Sequence, residues 1–223
     1  MSQTPYRIAV MASGRGSNLQ ALLQAISVGT LPARIAGVFS DKPASGAIAL
    51  ARESGLPAVA LSPRAYPSRE DHDEALFSEI ERVQPDLIVC AGYMRIITEA
   101  ALRRFEARMI NIHPSLLPKY PGLDTHGRAI AAGDREHGAS VHAVIPALDA
   151  GPLLGQVRIS VEPGDDAARL ARRLLPREHA LLVASVGLLA SGRAQIASDH
   201  VLFDGRPLTA PLQLGDDNRF LEA

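Results

Sequence analysis

The sequence predicts an α/β fold: a Rossmann-like, mainly parallel sheet with flanking helices and an antiparallel extension in its C-terminal half. Three observations predict it. From Tyr6 to about His113, short β-rich apolar runs alternate with longer helical segments, the pattern of βαβ units around a parallel sheet. Pro57, Pro67 and Pro85 break that alternation at element ends, where a missing amide donor is tolerated. Beyond His113, two β-rich stretches are joined by a segment too short for a crossover helix, so they should pair antiparallel. With 223 residues, 47% of them hydrophobic and 21% charged, the chain has ample apolar surface to fold as a single domain, 1–223, and extended disorder is excluded.

The elements follow in order. Strands are expected at Arg7–Met11, Arg34–Phe39, Ala58–Leu61, Leu87–Ala91 and Met109–Ile112, with helices near Asn18–Ser27, Gly46–Ser54, Arg69–Val83 and Thr98–Phe105. After His113 the texture changes. Pro114, Pro118, Pro121 and Gly122 stiffen a loop, and a short helix follows around Thr125–Ala132. Ala139–Ile145 and Leu153–Val161 form the antiparallel pair. Asp165 or Asp166 can cap a long helix reaching about Ser191, which Pro176 should kink or split. The tail after Arg193 reads as short strand and loop.

Composition narrows the function. The formal net charge is −1, and the basic residues are dispersed, so there is no nucleic-acid footprint and the expected partners are small molecules. Cys90, the one cysteine, cannot form an internal disulfide. It lies in an apolar run where a buried thiol is expected, and this fits a reducing compartment. Met1 to Tyr6 lacks the features of a secretion signal, and apolar runs such as Ala180–Ala190 are too short to span a bilayer. A cytoplasmic location with no membrane association is therefore expected. Monomer and homodimer both remain open.

Two segments carry chemistry. Ser13-Gly-Arg-Gly-Ser-Asn18 sits between the first strand and the first helix, where backbone amides and the positive helix end can cradle a phosphate. A dinucleotide fingerprint is weakened by Leu19 at the third glycine position, and a tight turn with no ligand remains an alternative. Asn111-Ile-His-Pro114 lies at the end of the fifth strand, and ligands of open α/β sheets bind beyond the carboxyl ends of strands. Residues two apart on a strand face the same way, so Asn111 and His113 can aim an amide and an imidazole at one substrate. The amide can stabilise an oxyanion and the imidazole can move protons, which together suit acyl transfer to an amine. Asp149 could favour the imidazolium form of His113, although Asp-Ala-Gly is equally a turn sequence. His137 and His142 stand five apart on a strand and face opposite sides, so no metal site is expected.

These segments, with Ala91-Gly-Tyr-Met-Arg-Ile96, Asn111 to Gly122 and Leu148-Asp-Ala-Gly-Pro152, resemble the folate-dependent phosphoribosylglycinamide formyltransferases of purine synthesis, and the likeness extends from the first strand to Arg177-Glu178-His179. The resemblance implies the formyltransferase fold, with a phosphate-binding βαβ half at 1–113 and a folate-loop and mixed-sheet half at 114–223. It implies 10-formyltetrahydrofolate as formyl donor, phosphoribosylglycinamide as acceptor and no metal. Asn111, His113 and Asp149 map onto the catalytic trio. Gly16, Ser17 and Asn18 map onto the phosphate contacts and Glu178 onto the ribose contact. Arg69, Met94, Arg95, Ile96, Ile97 and Ile145 map onto the folate contacts. Asp149 is further implied to raise the pKa of His113. Methionyl-tRNA formyltransferase and the hydrolase of formyl-folate share this core, but their additional domains are not expected in a chain of this length. Two positions depart from the family pattern: Asp124 stands where His or Asn is common, and Ala139 where Thr is frequent.

Overall fold

A computed structural model describes residues 5–221; residues 1–4, part of the polar Met1–Tyr6 stretch, lie outside it. The chain divides into two compact units, residues 1–111 and 112–223. In the first, strands β1 (Tyr6–Met11), β2 (Ala33–Ser40), β3 (Ala58–Ala60), β4 (Leu87–Cys90) and β5 (Met109–His113) alternate with helices α1 (Ser17–Ser27), α2 (Gly46–Glu53), α3 (Arg69–Arg82) and α4 (Glu99–Arg103). The last two residues of β5 belong to the second unit. The strands run parallel in the order β3-β2-β1-β4-β5. All of β4 is buried, as expected of a parallel strand covered on both faces.

The chain leaves β1 toward β2 and β3, then returns to the other side at β4. The carboxyl ends of β1 and β4 therefore form a topological switch point, where ligands of such sheets bind. Cys90 closes β4 and is 4% exposed. Burial pushes its thiol up to about 12, so it carries no nucleophilic thiolate near neutral pH.

The second unit pairs β6 (Glu136–Ala143) with β7 (Leu153–Ser160) antiparallel, as expected. The strand β6 begins and ends earlier than the apolar pattern suggested. Glu136 and His137 are polar yet pair with Ser160 and Ile159, because a ladder is made by the backbone and does not need apolar side chains. The short β11 (Leu212–Gln213) adds parallel to β7, and β8 (Ala194–Ile196), β9 (Val201–Phe203) and β10 (Arg206–Pro207) make a separate three-stranded antiparallel sheet. Thus the tail holds more strand than its sequence indicated.

Helix α5 (Thr125–Ala131) is short, whereas α6 (Ala167–Ala190) is long and keeps Pro176 inside it. Asp166 caps α6, its side chain accepting from Arg169 N at 2.7 Å. The expected split at Pro176 does not occur. Leu170 and Leu174 before the proline, and Leu181, Leu182 and Val186 after it, are fully buried. At about 1.5–3 kcal/mol per buried side chain, this burial outweighs the roughly 3 kcal/mol cost of a helical proline.

Candidate active site

In the first unit, the Ser13–Asn18 loop is shaped by its backbone. Gly16 precedes α1 with φ 87°, a left-handed conformation. A Cβ there would lie 2.8 Å from Ala47 Cα, so only glycine fits. Ser17 and Asn18 begin α1, and the buried Asn18 Oδ1 has no protein partner. Ser13, which sequence reasoning passed over, joins three segments. Its hydroxyl donates to Asp41 Oδ1 at 2.6 Å and accepts from Met94 N at 2.9 Å, while its amide donates to the Gly92 carbonyl at 3.0 Å. This holds the Met94–Ile97 segment beside the switch point. Met94 and Ile96 expose 63% and 57% of their surface, an apolar face suited to a flat aromatic ring. Arg95 and Ile97 are half-buried. Arg69, at the start of α3, pairs with Glu70 at 3.7 Å.

In the second unit, His113 ends β5 and is 5% exposed. Asn111 stands two residues earlier on the same strand, so strand alternation turns the two side chains to one side. The Asp149 carboxylate reaches His113 Nδ1 at 3.5 Å through Oδ2 and His142 Nε2 at 3.6 Å through Oδ1. The Gly122 amide also donates to Asp149 Oδ2, at 2.8 Å. Asp149 adopts φ 51°, so its turn conformation and its contact with His113 coexist; aspartate is among the few non-glycine types that accept this region.

His142 was missed as a site residue. A β-bulge between Val141 and His142 breaks the simple alternation from which its direction would have been read. The Tyr120 carbonyl, invisible to any reading of side-chain types, accepts from His113 Nε2 at 2.9 Å.

The charges in this cluster oppose one another. A carbonyl only accepts, so Nε2 carries hydrogen. A neutral His113 then turns a lone pair toward the Asp149 carboxylate, whereas an imidazolium donates to both neighbours. Burial nevertheless lowers the His113 pKa below its ordinary value; the Tyr120 carbonyl and Asp149 oppose this without reversing it. The Asp149 charge thus raises the His113 pKa, while desolvation, the larger effect, lowers it. Burial also raises the Asp149 pKa, yet His142, the Gly122 amide and the His113 charge outweigh it and hold the carboxyl below its usual range.

On α6, Glu178 is 9% exposed, and burial pushes its carboxyl up to about 7. Ile145 is half-buried, just beyond β6. Asp124 adopts φ 52° before α5, and Ala139 is fully buried opposite Val157. Among the described residues, no group of three or more His, Cys, Asp or Glu could hold a metal ion, and no helix is long and apolar enough to cross a membrane.

An α/β sheet with an Asn-x-His segment at a strand end and a carboxylate against the imidazole defines a class of acyl-transfer site. The Formyl transferase family matches residues 6–186, and the chain belongs to that family. It is 40% identical over 201 residues to the phosphoribosylglycinamide formyltransferase of Escherichia coli (strain K12), covering 90% of this chain and 95% of that one. The structure of the phosphoribosylglycinamide formyltransferase from Coxiella burnetii superposes with a TM-score of 0.88 at 42% identity, covering 92% of this chain and 97% of the other. A formyltetrahydrofolate deformylase from Burkholderia mallei is more distant, at 26% identity and a TM-score of 0.80, and the match covers 90% of this chain and 70% of that one.

Proposed function

We propose that this chain transfers the formyl group of 10-formyltetrahydrofolate to the glycine amine of phosphoribosylglycinamide in purine synthesis. The observation that carries the reading is the buried His113 held between the Tyr120 carbonyl and the Asp149 carboxylate, at the end of a strand that also bears Asn111. The near-complete mutual coverage with formyltransferases of that name supports the choice of acceptor.

Gly16, Ser17 and Asn18 would hold the acceptor's phosphate at the start of α1, with the unpartnered Asn18 Oδ1 accepting from a substrate hydroxyl or amine. Glu178 would accept from the ribose hydroxyls. Met94 and Ile96 would pack on the pterin, with Arg95, Ile97, Arg69 and Ile145 completing the folate contacts. When bound, the folate supplies an electrophilic formyl carbon attached to nitrogen. Asn111 and protonated His113 would donate to the oxygen as charge develops on it during attack by the neutral amine. The carbon–nitrogen bond to the folate then breaks, and the proton lost by the amine passes to the departing nitrogen, with His113 or a water as carrier. Asp149 keeps His113 chargeable despite its burial. No covalent enzyme intermediate is required. The buried, unreactive Cys90 suits a reducing cytoplasmic setting.

A formyl-transfer assay with 10-formyltetrahydrofolate and glycinamide ribonucleotide tests donor and acceptor together. The expected result is formylated acceptor and tetrahydrofolate in equal amounts. Formate release independent of acceptor would instead make the chain a deformylase. Binding of NAD(P) or ATP without folate would make it a nucleotide-binding module.

A further inference from the structure

We propose that Asp134 is a positioning residue for His113, acting through the Tyr120 hydroxyl; the proposal rests on the formyl-transfer reading above. The Tyr120 carbonyl accepts from His113 Nε2 at 2.9 Å, so the direction of that one peptide group fixes where the ring points. Yet Tyr120 stands at φ 56°, in the left-handed region that a bulky side chain avoids. It also precedes Pro121, and a residue before proline favours an extended backbone. Both preferences would turn the carbonyl away from His113 unless the residue were held from outside.

The hold comes from the far end of α5. Asp134 Oδ2 accepts from the Tyr120 hydroxyl at 2.8 Å, and Lys119 Nζ donates to both oxygens of the same carboxylate, at 2.9 and 3.0 Å. One carboxylate thus grips two successive side chains of the loop. Asp134 is itself fixed by the way the helix stops. Gly133 takes φ 68°, its amide donates to the Ile130 carbonyl at 3.0 Å, and the Asp134 amide donates to the Ala129 carbonyl at 3.1 Å, the bonding of a glycine-terminated helix. Arg128, in the last turn of α5, lies 5.2 Å from the centre of the Tyr120 ring and donates to the Pro121 carbonyl at 2.6 Å. The same short helix therefore secures the ring and the chain just beyond it.

The neighbouring backbone has its own bonds: Ser115 Oγ donates to the Lys119 carbonyl at 2.6 Å, and the Gly122 amide donates to Asp149 Oδ2 at 2.8 Å. These keep the loop folded when the Tyr120 hydroxyl is lost, but they leave the Tyr120 peptide to be set by its own side chain. Lys119 and Tyr120 hold the Asp134 carboxyl below its usual range, and Asp134 holds the Tyr120 phenol above its own. The bond between hydroxyl and carboxylate therefore persists across the neutral range. The charged and titratable groups around His113 are Asp149, His142, Arg128, His126 and His137, and the variants below alter none of them.

The test compares Tyr120→Phe, Asp134→Ala, their double variant and Asp134→Asn in the full chain. Phenylalanine keeps the ring under Arg128 and removes only the hydroxyl. Asparagine removes the charge but can still accept from that hydroxyl through its amide oxygen; alanine cannot. Misplacing a catalytic group by an ångström can cost about 10²-fold, so loosening its acceptor in Tyr120→Phe or Asp134→Ala should lower kcat at least about fivefold, with KM for both substrates within about threefold. Both substitutions break the same bond, so the double variant should lose little more than either alone. Asp134→Asn should recover most of kcat. NMR titration of the His113 imidazole, assigned against His113→Ala, should move to lower pH in the phenylalanine and alanine variants, because the carbonyl bond favours the charged ring, and should return in the asparagine variant. A folded phenylalanine variant whose His113 titrates as in the wild type overturns the proposal, as do equal losses in the alanine and asparagine variants or multiplied losses in the double variant. If the alanine variant fails to fold, the phenylalanine variant decides alone. A wild-type chain without formyl transfer would reject the function while the His113 titration still decided the positioning.

Discussion

The Ser13–Asn18 loop and the surroundings of His113 are built by different physics. In the loop, backbone conformation does the shaping: Gly16 sits at φ 87° with Ala47 against it, and the buried Asn18 Oδ1 has no protein partner. Around His113, backbone and side-chain groups compete over a proton in a place where burial penalises charge. A site shaped by backbone should fail through binding when a side chain is added to it. A site shaped by charge should fail through turnover and pH dependence.

The strongest break of that contrast lies in the second mode. His113→Ala and Asn111→Ala should each reduce kcat by about 10²-fold or more, the scale of losing an acid–base group or an oxyanion donor. Steady-state kinetics showing near-normal turnover in either would remove that residue from the chemistry.

Glu178 sharpens the charge side of the comparison through stability. Its folded-state pKa of about 7 lies above the ordinary 4.5. The carboxyl's contribution to stability is thus complete below about pH 4.5 and is lost as pH rises through about 7. Glu178→Gln should stabilise the protein by roughly 3 kcal/mol at pH 8 and by little at pH 4.5, read by denaturant unfolding at both pH values. An equal effect at the two would mean that burial of charge is not what strains this position.

Gly16→Ala tests the backbone side. Forcing a side chain into a left-handed, occupied position costs about 1–3 kcal/mol. We expect a raised KM for the phosphorylated acceptor with kcat nearly retained. A wild-type KM would reject phosphate binding at this loop.

The smallest effect is expected from Asp149→Asn. Removing the carboxylate leaves burial less opposed, so the His113 pKa falls further and the part of the pH–rate profile that needs protonated His113 moves to lower pH. A profile that does not move would show that Asp149 acts on geometry alone.

The same contrast explains what could be read from sequence. The positions of Gly16 in a turn and of Asn111 and His113 at a strand end were legible because these are local consequences of residue type and spacing. The parallel strands β1 to β5 and the antiparallel β6–β7 pair were legible for the same reason. The continuity of α6 through Pro176 was not, because burial on both sides of the proline decides it. His142 was hidden by a bulge. The Tyr120 carbonyl and the net lowering of the His113 pKa depend on how a loop folds back, and no spacing rule encodes that.

The buried Cys90, with its thiol pushed up to about 12, has a practical consequence. As the sole cysteine, it should stay silent toward maleimide reagents in the native chain. A cysteine introduced at Leu148, which is 57% exposed, could then be labelled alone. A fluorophore there would report in real time on whether the segment beside Asp149 moves when folate arrives.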